Sequence, residues 1–313
     1  MKKRSLLPLL LIAATPAPAP SPGEIVAAAT AEEWVTIAPA DLLVMDLAPN
    51  VKGKARRVVI QLMPPPFSQG WVGNIRKLAA AHFWDGTSVN RVQDNYVVQW
   101  GDATEKKALP EGLVVVPESE YEASRRTGAP CGSDAIDPGM CNGTSERLLS
   151  NPTGKDVYSN DAGFWDGWPL AKNEQFLIWP VHCYGMVGVG RNLSPDTGTG
   201  AELYTVIGHA PRHLDRNIAL VGRVISGVEQ LSSLPRGTGD LGFYKTTKER
   251  VPILSVRMGS KVAGLPRYEY LSTDSDSFAK YADARANRRD PFFILPAGGA
   301  DICNIPVPVR KAP

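Results

Sequence analysis

Short runs of apolar residues dominate the hydrophobic pattern of this chain, and long helical periods are rare. Leu42–Leu47 and Arg57–Met63 read as strands, the second (RRVVIQLM) enriched in Val and Ile. Pro64-Pro65-Pro66 ends that run, because proline brings no amide hydrogen to a ladder. In GWVGNIRKLAAAHFWDG, Trp71, Ile75 and Leu78 recur at helical spacing with Gly86 beyond, which predicts one amphipathic helix. GTSVNRVQDNYVVQWGD, Gly86–Asp102, then predicts two short strands around a polar turn. From Ala103 to His182 the pattern dissolves into Gly, Pro, Ser and Asp, with an apolar run at Leu113–Val116. So long an irregular stretch reads as an insertion or an elaborated functional loop.

Regularity returns with CYGMVGVG, LYTVIG and IALVGRVI, three further strand candidates. Val228–Leu234 predicts a short second helix and Pro252–Met258 a closing strand, and after Gly259 no clear period remains beyond apolar Pro291–Leu295. Many short strands with two helices predict a mainly β fold. Closing the sheet into a barrel would remove its vulnerable edges.

Inside the hairpin sits an arginine among Val, Tyr and Trp. Antiparallel pairing about Asn95 sets Arg91 opposite Gln99, and odd positions share a face. Val89, Arg91, Val97 and Gln99 are therefore expected to form one mixed patch, suited to a ligand that is part carbonyl and part hydrocarbon.

A length of 313 residues, 43% hydrophobic and 21% charged, allows one large domain with elaborations or two small ones. The formal net charge of +2, with basic residues clustered only at the N-terminus, argues against nucleic acid as a partner. MKKRSLLPLLLIAA has the basic head and short apolar run of a secretory signal peptide, well under the roughly 20 residues that span a bilayer. Residues 1–31 are read as leader. Cleavage after Ala17-Pro18-Ala19 would put Pro20 first, so Ala29-Thr30-Ala31 is favoured, with a mature start near Glu32. An exported, periplasmic protein without stable membrane insertion is expected.

Four cysteines fit an oxidising compartment. Cys131 and Cys141, ten residues apart in a Gly/Pro/Asp-rich loop, are expected to form a staple, leaving Cys183 and Cys303 to pair or stay free. No cofactor or metal is expected. His209 and His213 are four apart, but Pro211 between them argues against a helical metal site. His182 beside Cys183 reads as a packed pair, and Trp165 and Trp168 in GFWDGW as anchors of the insertion.

Three blocks in fixed order resemble the cyclophilin-type peptidyl-prolyl isomerases. NIRKLAAAHFWDGTSVNRVQDNYVVQWGD resembles the family's helix, aromatic-Asp-Gly turn, arginine strand and Gln-x-Gly-Asp strand. GMVGVGRNLSPDTGTGAELYTVIG and HLDRNIALVGRVISGVEQL resemble its second and third segments. The resemblance implies a closed eight-stranded antiparallel barrel capped by two helices, over 40–258. The insertion would be 103–182 and the C-terminal extension 259–313. It also implies a groove on the outer face, with Arg91 and Gln99 as the catalytic pair. Tyr96, Val97, Tyr204 and Leu214 match the proline pocket, and Gly190 and Arg191 the neighbouring groove. Ala201 and Glu202 stand where the family carries Ser and Gln, His213 where many members carry Trp, and Ile218 where several carry His. Glu202 and His213 are kept as substrate-binding candidates. Glu202 would either orient Arg91 or partly neutralise it.

The implied activity is isomerisation of X–Pro bonds in unfolded or extended polypeptides by a monomeric protein that assists folding. The alternative is a non-catalytic module that grips proline-containing segments, with the insertion covering the groove or recruiting a partner.

Overall fold

Two early strands of this chain, in LLVMDL and RRVVIQL, are apolar on both faces, and the architecture accounts for it. The computed structural model describes residues 18–124, 156–175 and 177–313; the Cys131–Cys141 pair lies outside them. In chain order come α1 (Pro22–Ala27), β1 (Trp34–Ile37), β2 (Leu42–Leu47), β3 (Arg56–Leu62), α2 (Gln69–Ala80), β4 (Ser88–Val92) and β5 (Val97–Gly101). The second stretch holds β6 (Ala123–Ser124), β7 (Asp161–Trp165), β8 (Trp168–Lys172), β9 (Leu177–Pro180), β10 (Met186–Val189) and β11 (Leu203–Val206). Then follow β12 (Leu220–Ser226), α3 (Glu229–Ser232), β13 (Val251–Met258), β14 (Tyr268–Leu271), α4 (Asp276–Ala286) and β15 (Val309–Lys311).

Eight strands close into an antiparallel barrel in the order β10-β11-β5-β4-β13-β2-β3-β12, with β12 pairing back to β10. Leu43, Met45, Val58, Ile60, Val98 and Trp100 point into its core. α2 sets Trp71, Ile75 and Leu78 on the same core, as their helical spacing predicts. The short α3 packs against β3.

The alternate residues of β2 and β3 face outward and are buried as well. Leu42, Val44 and Val59 form a second cluster with Ile37, Tyr268 and Tyr270, which come from a three-stranded sheet in the order β1-β14-β15. The tail after Gly259, without period in the sequence, therefore forms a sheet with the N-terminal strand and covers one outer face of the barrel. This explains why LLVM and VVI read as continuous apolar runs rather than alternating ones.

The expectation that order is lost from Ala103 to His182 does not hold throughout that segment. Its residues 161–180 form three strands that β6, from its first half, joins in a four-stranded sheet, β6-β9-β8-β7. Asn160 and Asn173 lie near the ends of its short strands, and Trp168 and Trp179 are buried. Trp168 stacks under the Arg223 guanidinium of β12 at 4.5 Å, and Trp165 meets Phe67 edge-on at 6.0 Å. Both tryptophans thus anchor the insertion. Phe164 of β7 packs on Phe278 of α4 at 5.0 Å, so insertion and extension also hold each other. A disulfide joins Cys183 to Cys303, tying the tail to the segment before β10. α1 starts at Ser21, whose Oγ accepts the Glu24 N–H while the Glu24 carboxylate accepts the Ser21 N–H, and it packs on α4.

Candidate functional site

Residues of β4, β5 and β11, with the segment that follows β10, line a groove of about 620 Å³. Its register is set by the β4–β5 hairpin. Arg91 pairs with Gln99 as pairing about Asn95 predicts, but Val89 pairs with Trp100, so one extra residue bulges from β4. The bulge turns Val89 into the core beside Trp100 and brings Asn90 out next to Arg91. The expected patch therefore loses Val89 and gains Asn90.

Arg91 is half-buried. Its Nε donates to the Leu241 carbonyl at 2.8 Å, Nη1 donates to Gln99 Oε1 at 3.1 Å, and Nη2 donates to Gln93 Oε1. The rings of Tyr96 and Phe243 lie 5.7 and 5.2 Å from its Cζ. Burial lowers the pKa of this guanidinium, yet an arginine begins so high that it stays charged. Three of its five N–H donors are taken, which leaves two for a ligand.

Next to it Val97, Tyr204 and Val206, with Tyr96 and Ile218 packed on them, form an apolar cluster separate from the core; Leu214 adds to the same wall. On the other side Glu202 Oε1 accepts from Asn90 Nδ2 at 3.1 Å and from Gln99 Nε2 at 3.3 Å. Burial raises the Glu202 pKa, and these two donors partly offset the rise. Glu202 reaches Arg91 only through Gln99, so it neither pairs with the guanidinium directly nor neutralises it by contact. Gly101, at φ +157°, admits the carboxylate: a Cβ there would lie 1.6 Å from Glu202 Oε2.

The rim is built by hydrogen bonds from tryptophans. Trp71 Nε1 donates to the carbonyls of Thr197 and Gly198, at 3.1 and 3.0 Å, and Trp84 Nε1 to that of Ala201 at 2.8 Å. Gly190 N–H donates to the Glu202 carbonyl at 2.8 Å. The Arg191 guanidinium donates to the carbonyls of Asn217 and Asn192 at 2.7–3.0 Å, which pins the rim.

Of the residues singled out in the sequence, Arg91, Gln99, Tyr96, Val97, Gly190, Arg191, Glu202, Tyr204 and Leu214 line this groove. His213 stands outside it, exposed, and stacks on the far face of Tyr96 at 6.3 Å. Asn90, Gln93, Phe243 and the Leu241 carbonyl were missed. The bulge that presents Asn90 has no sequence signal, and Leu241 and Phe243 arrive from a loop some 150 residues away. No cluster of His, Cys, Asp and Glu that could hold a metal ion occurs among the described residues.

A closed eight-stranded barrel with a guanidinium beside an apolar hollow on its outer face has a counterpart among known proteins. Residues 54–258 match the family model described as cyclophilin type peptidyl-prolyl cis-trans isomerase/CLD. The chain belongs to this family. Among solved structures, this cyclophilin-family chain is similar to cyclophilin AquaCyp293 from Hirschia baltica, at 21% identity and a TM-score of 0.64 over 90% of this chain and 95% of that one. A cyclophilin type peptidyl-prolyl cis-trans isomerase from Cryptosporidium parvum, determined in the presence of the dipeptide Ala-Pro, overlaps at 11% identity and a TM-score of 0.37, covering 69% of this chain and 98% of that one. No curated protein matches. The cyclophilin likeness to AquaCyp293 extends past the barrel into the flanking segments, since residues 54–258 are only part of the 90% covered.

Proposed function

We propose that this chain is an exported peptidyl-prolyl cis–trans isomerase that assists the folding of exported proteins, with Arg91 as its catalytic group and Gln99 as the residue that holds it. One observation carries the reading: a half-buried guanidinium, fixed by three acceptors with two donors to spare, borders a hollow lined by Val97, Tyr204, Leu214 and Ile218. A pyrrolidine ring suits the hollow.

Rotation about an X–Pro bond meets a barrier of about 18–20 kcal/mol because the amide has double-bond character. No bond is broken, so no nucleophile is required. In the half-rotated state conjugation is lost and the lone pair localises on a pyramidal prolyl nitrogen. A preorganised guanidinium donating to that nitrogen and to the prolyl carbonyl favours this state over both planar ones. Tyr96, Val97, Tyr204 and Leu214 would hold the ring while the preceding carbonyl swings. Gly190 and Arg191 would border the residues before the proline.

Export is supported by the basic-apolar N-terminal sequence and by the Cys183–Cys303 disulfide. No helix among the described residues is long and apolar enough to cross a membrane. Unfolded or extended polypeptides in a periplasmic compartment are the proposed substrates, and a monomer the proposed state. A protease-coupled assay on an Ala-Pro tetrapeptide tests the catalytic reading. Turnover by the wild type that drops about a hundredfold in Arg91→Ala, about 2.7 kcal/mol, is expected. Equal background from both proteins would favour a module that binds proline segments without turning them over.

A further inference from the structure

Tyr204 belongs to the wall of the hollow, yet its hydroxyl points away from the groove into a buried polar chain. Its Oη lies 2.9 Å from His182 Nε2, and His182 Nδ1 lies 2.8 Å from Asp215 Oδ1. A carboxylate can only accept, so Nδ1 carries the imidazole hydrogen and Nε2 accepts the Tyr204 O–H. Asp215 Oδ1 also takes the His182 backbone N–H at 2.9 Å, and Oδ2 takes Arg212 Nε at 2.7 Å. Arg212 then forks onto Asp156, Nη2 to Oδ2 at 2.7 Å and Nη1 to Oδ1 at 3.2 Å, under the Tyr158 ring. Ser159 Oγ donates to Asp156 Oδ2 at 2.5 Å.

His182, Asp215 and Arg212 are 0%, 7% and 3% exposed, so water does not compete for these bonds. Burial lowers the His182 pKa and keeps the ring neutral, as accepting the phenol proton requires. A polar chain satisfied at every member is stiff, whereas one missing a member leaves a buried group unpaired. The barrel also makes room for the phenol: a Cβ at Gly188 would lie 2.3 Å from Tyr204 Oη. Space and acceptor are thus separately provided for one hydroxyl.

We propose that His182 is a positioning residue for the proline pocket: braced by Asp215, Arg212 and Asp156, it holds the Tyr204 ring by its hydroxyl and so fixes the wall of the hollow. Asp156 and Ser159 belong to the insertion, so the insertion supports the pocket from behind. This deepens the proposal that the groove takes prolyl peptides and rests on it.

The test is a mutant cycle on the full mature chain with an Ala-Ala-Pro-Phe tetrapeptide. It compares wild type, Tyr204→Phe, His182→Gln and the double variant, with kcat and KM measured separately and peptide Kd taken from NMR titration. Each single variant is expected to raise KM and Kd three- to tenfold with kcat within twofold, and the double variant to lose no more than either single. Asp156→Asn should show a smaller rise of the same kind. Unchanged KM and Kd in Tyr204→Phe, or losses that multiply in the double variant, overturn the proposal; so does a lowered Tm without any change in Kd. Should His182→Gln not fold, Tyr204→Phe, which removes only the hydroxyl, decides the matter. A wild type that binds the peptide without turnover ends the isomerase reading while Kd still judges the positioning; one that does neither ends both.

Discussion

Across the β4–β5 ladder, Arg91 Nη1 donates to Gln99 Oε1 at 3.1 Å, while the amide nitrogen of the same glutamine turns to Glu202. Gln99 thereby stands between a cation and a carboxylate, with its amide orientation fixed by both. Gln99→Ala would release one side of the fork and open a path for the guanidinium toward Glu202. A roughly tenfold fall in kcat/KM, about 1.4 kcal/mol, is expected. Arg91→Lys keeps the charge but cannot engage Leu241, Gln99 and Gln93 together, and should lose close to a hundredfold. Coupled isomerisation assays on the three proteins check both values.

Glu202 supplies a pH dependence whose sign follows from its burial. Burial raises its pKa in the folded protein, so the native state binds this proton more tightly than the unfolded chain does. Stability from this group is therefore lost as pH rises from the ordinary carboxylate range through the raised folded value. Glu202→Gln keeps an oxygen for Asn90 and Gln99 and removes the charge. Urea unfolding at several pH values should show little difference from wild type at the acid end, and an advantage for the glutamine variant that grows toward neutrality.

The Cys183–Cys303 disulfide closes a loop with a sequence separation of 120. In the chain-entropy model a loop of that length contributes about 4–5 kcal/mol. The Cys183→Ala/Cys303→Ala variant should unfold at markedly lower urea concentration and show faster proteolysis after Gly259. Unchanged unfolding with and without reductant would sink this account of the tail.

Trp168 carries much of the attachment between the insertion and the barrel. It is 1% exposed and stacks beneath Arg223, whose pKa burial lowers to about 10 and which also meets Gln61, the Gly167 carbonyl and the Tyr270 ring. Trp168→Ala should cost about 3–5 kcal/mol, since it opens a cavity and bares a buried cation. Chemical denaturation gives the loss. A change below about 1 kcal/mol would mean the insertion is only loosely joined.

Local rules made much of the barrel readable. β2, β3, β13 and the helix α2 fall where apolar runs, prolines and helical spacing put them, because those signals act within ten residues. The Arg91–Gln99 pairing was legible for the same reason, since a hairpin's register follows from its turn. The strands of the insertion were not. They are short, buried at nearly every position rather than alternating, and glycine and proline within them carry the signature of loops.

What the sequence determined unaided is several of the barrel's strands, the hairpin and the guanidinium with its amide partner, because each is specified by residues close together in the chain. The bulge that swaps Val89 for Asn90, the route from Glu202 to Arg91 through Gln99, and the chain from Tyr204 to Asp156 were decided by tertiary structure. Their members are up to about a hundred residues apart and meet only once the sheet has closed, so no local pattern records that they will touch.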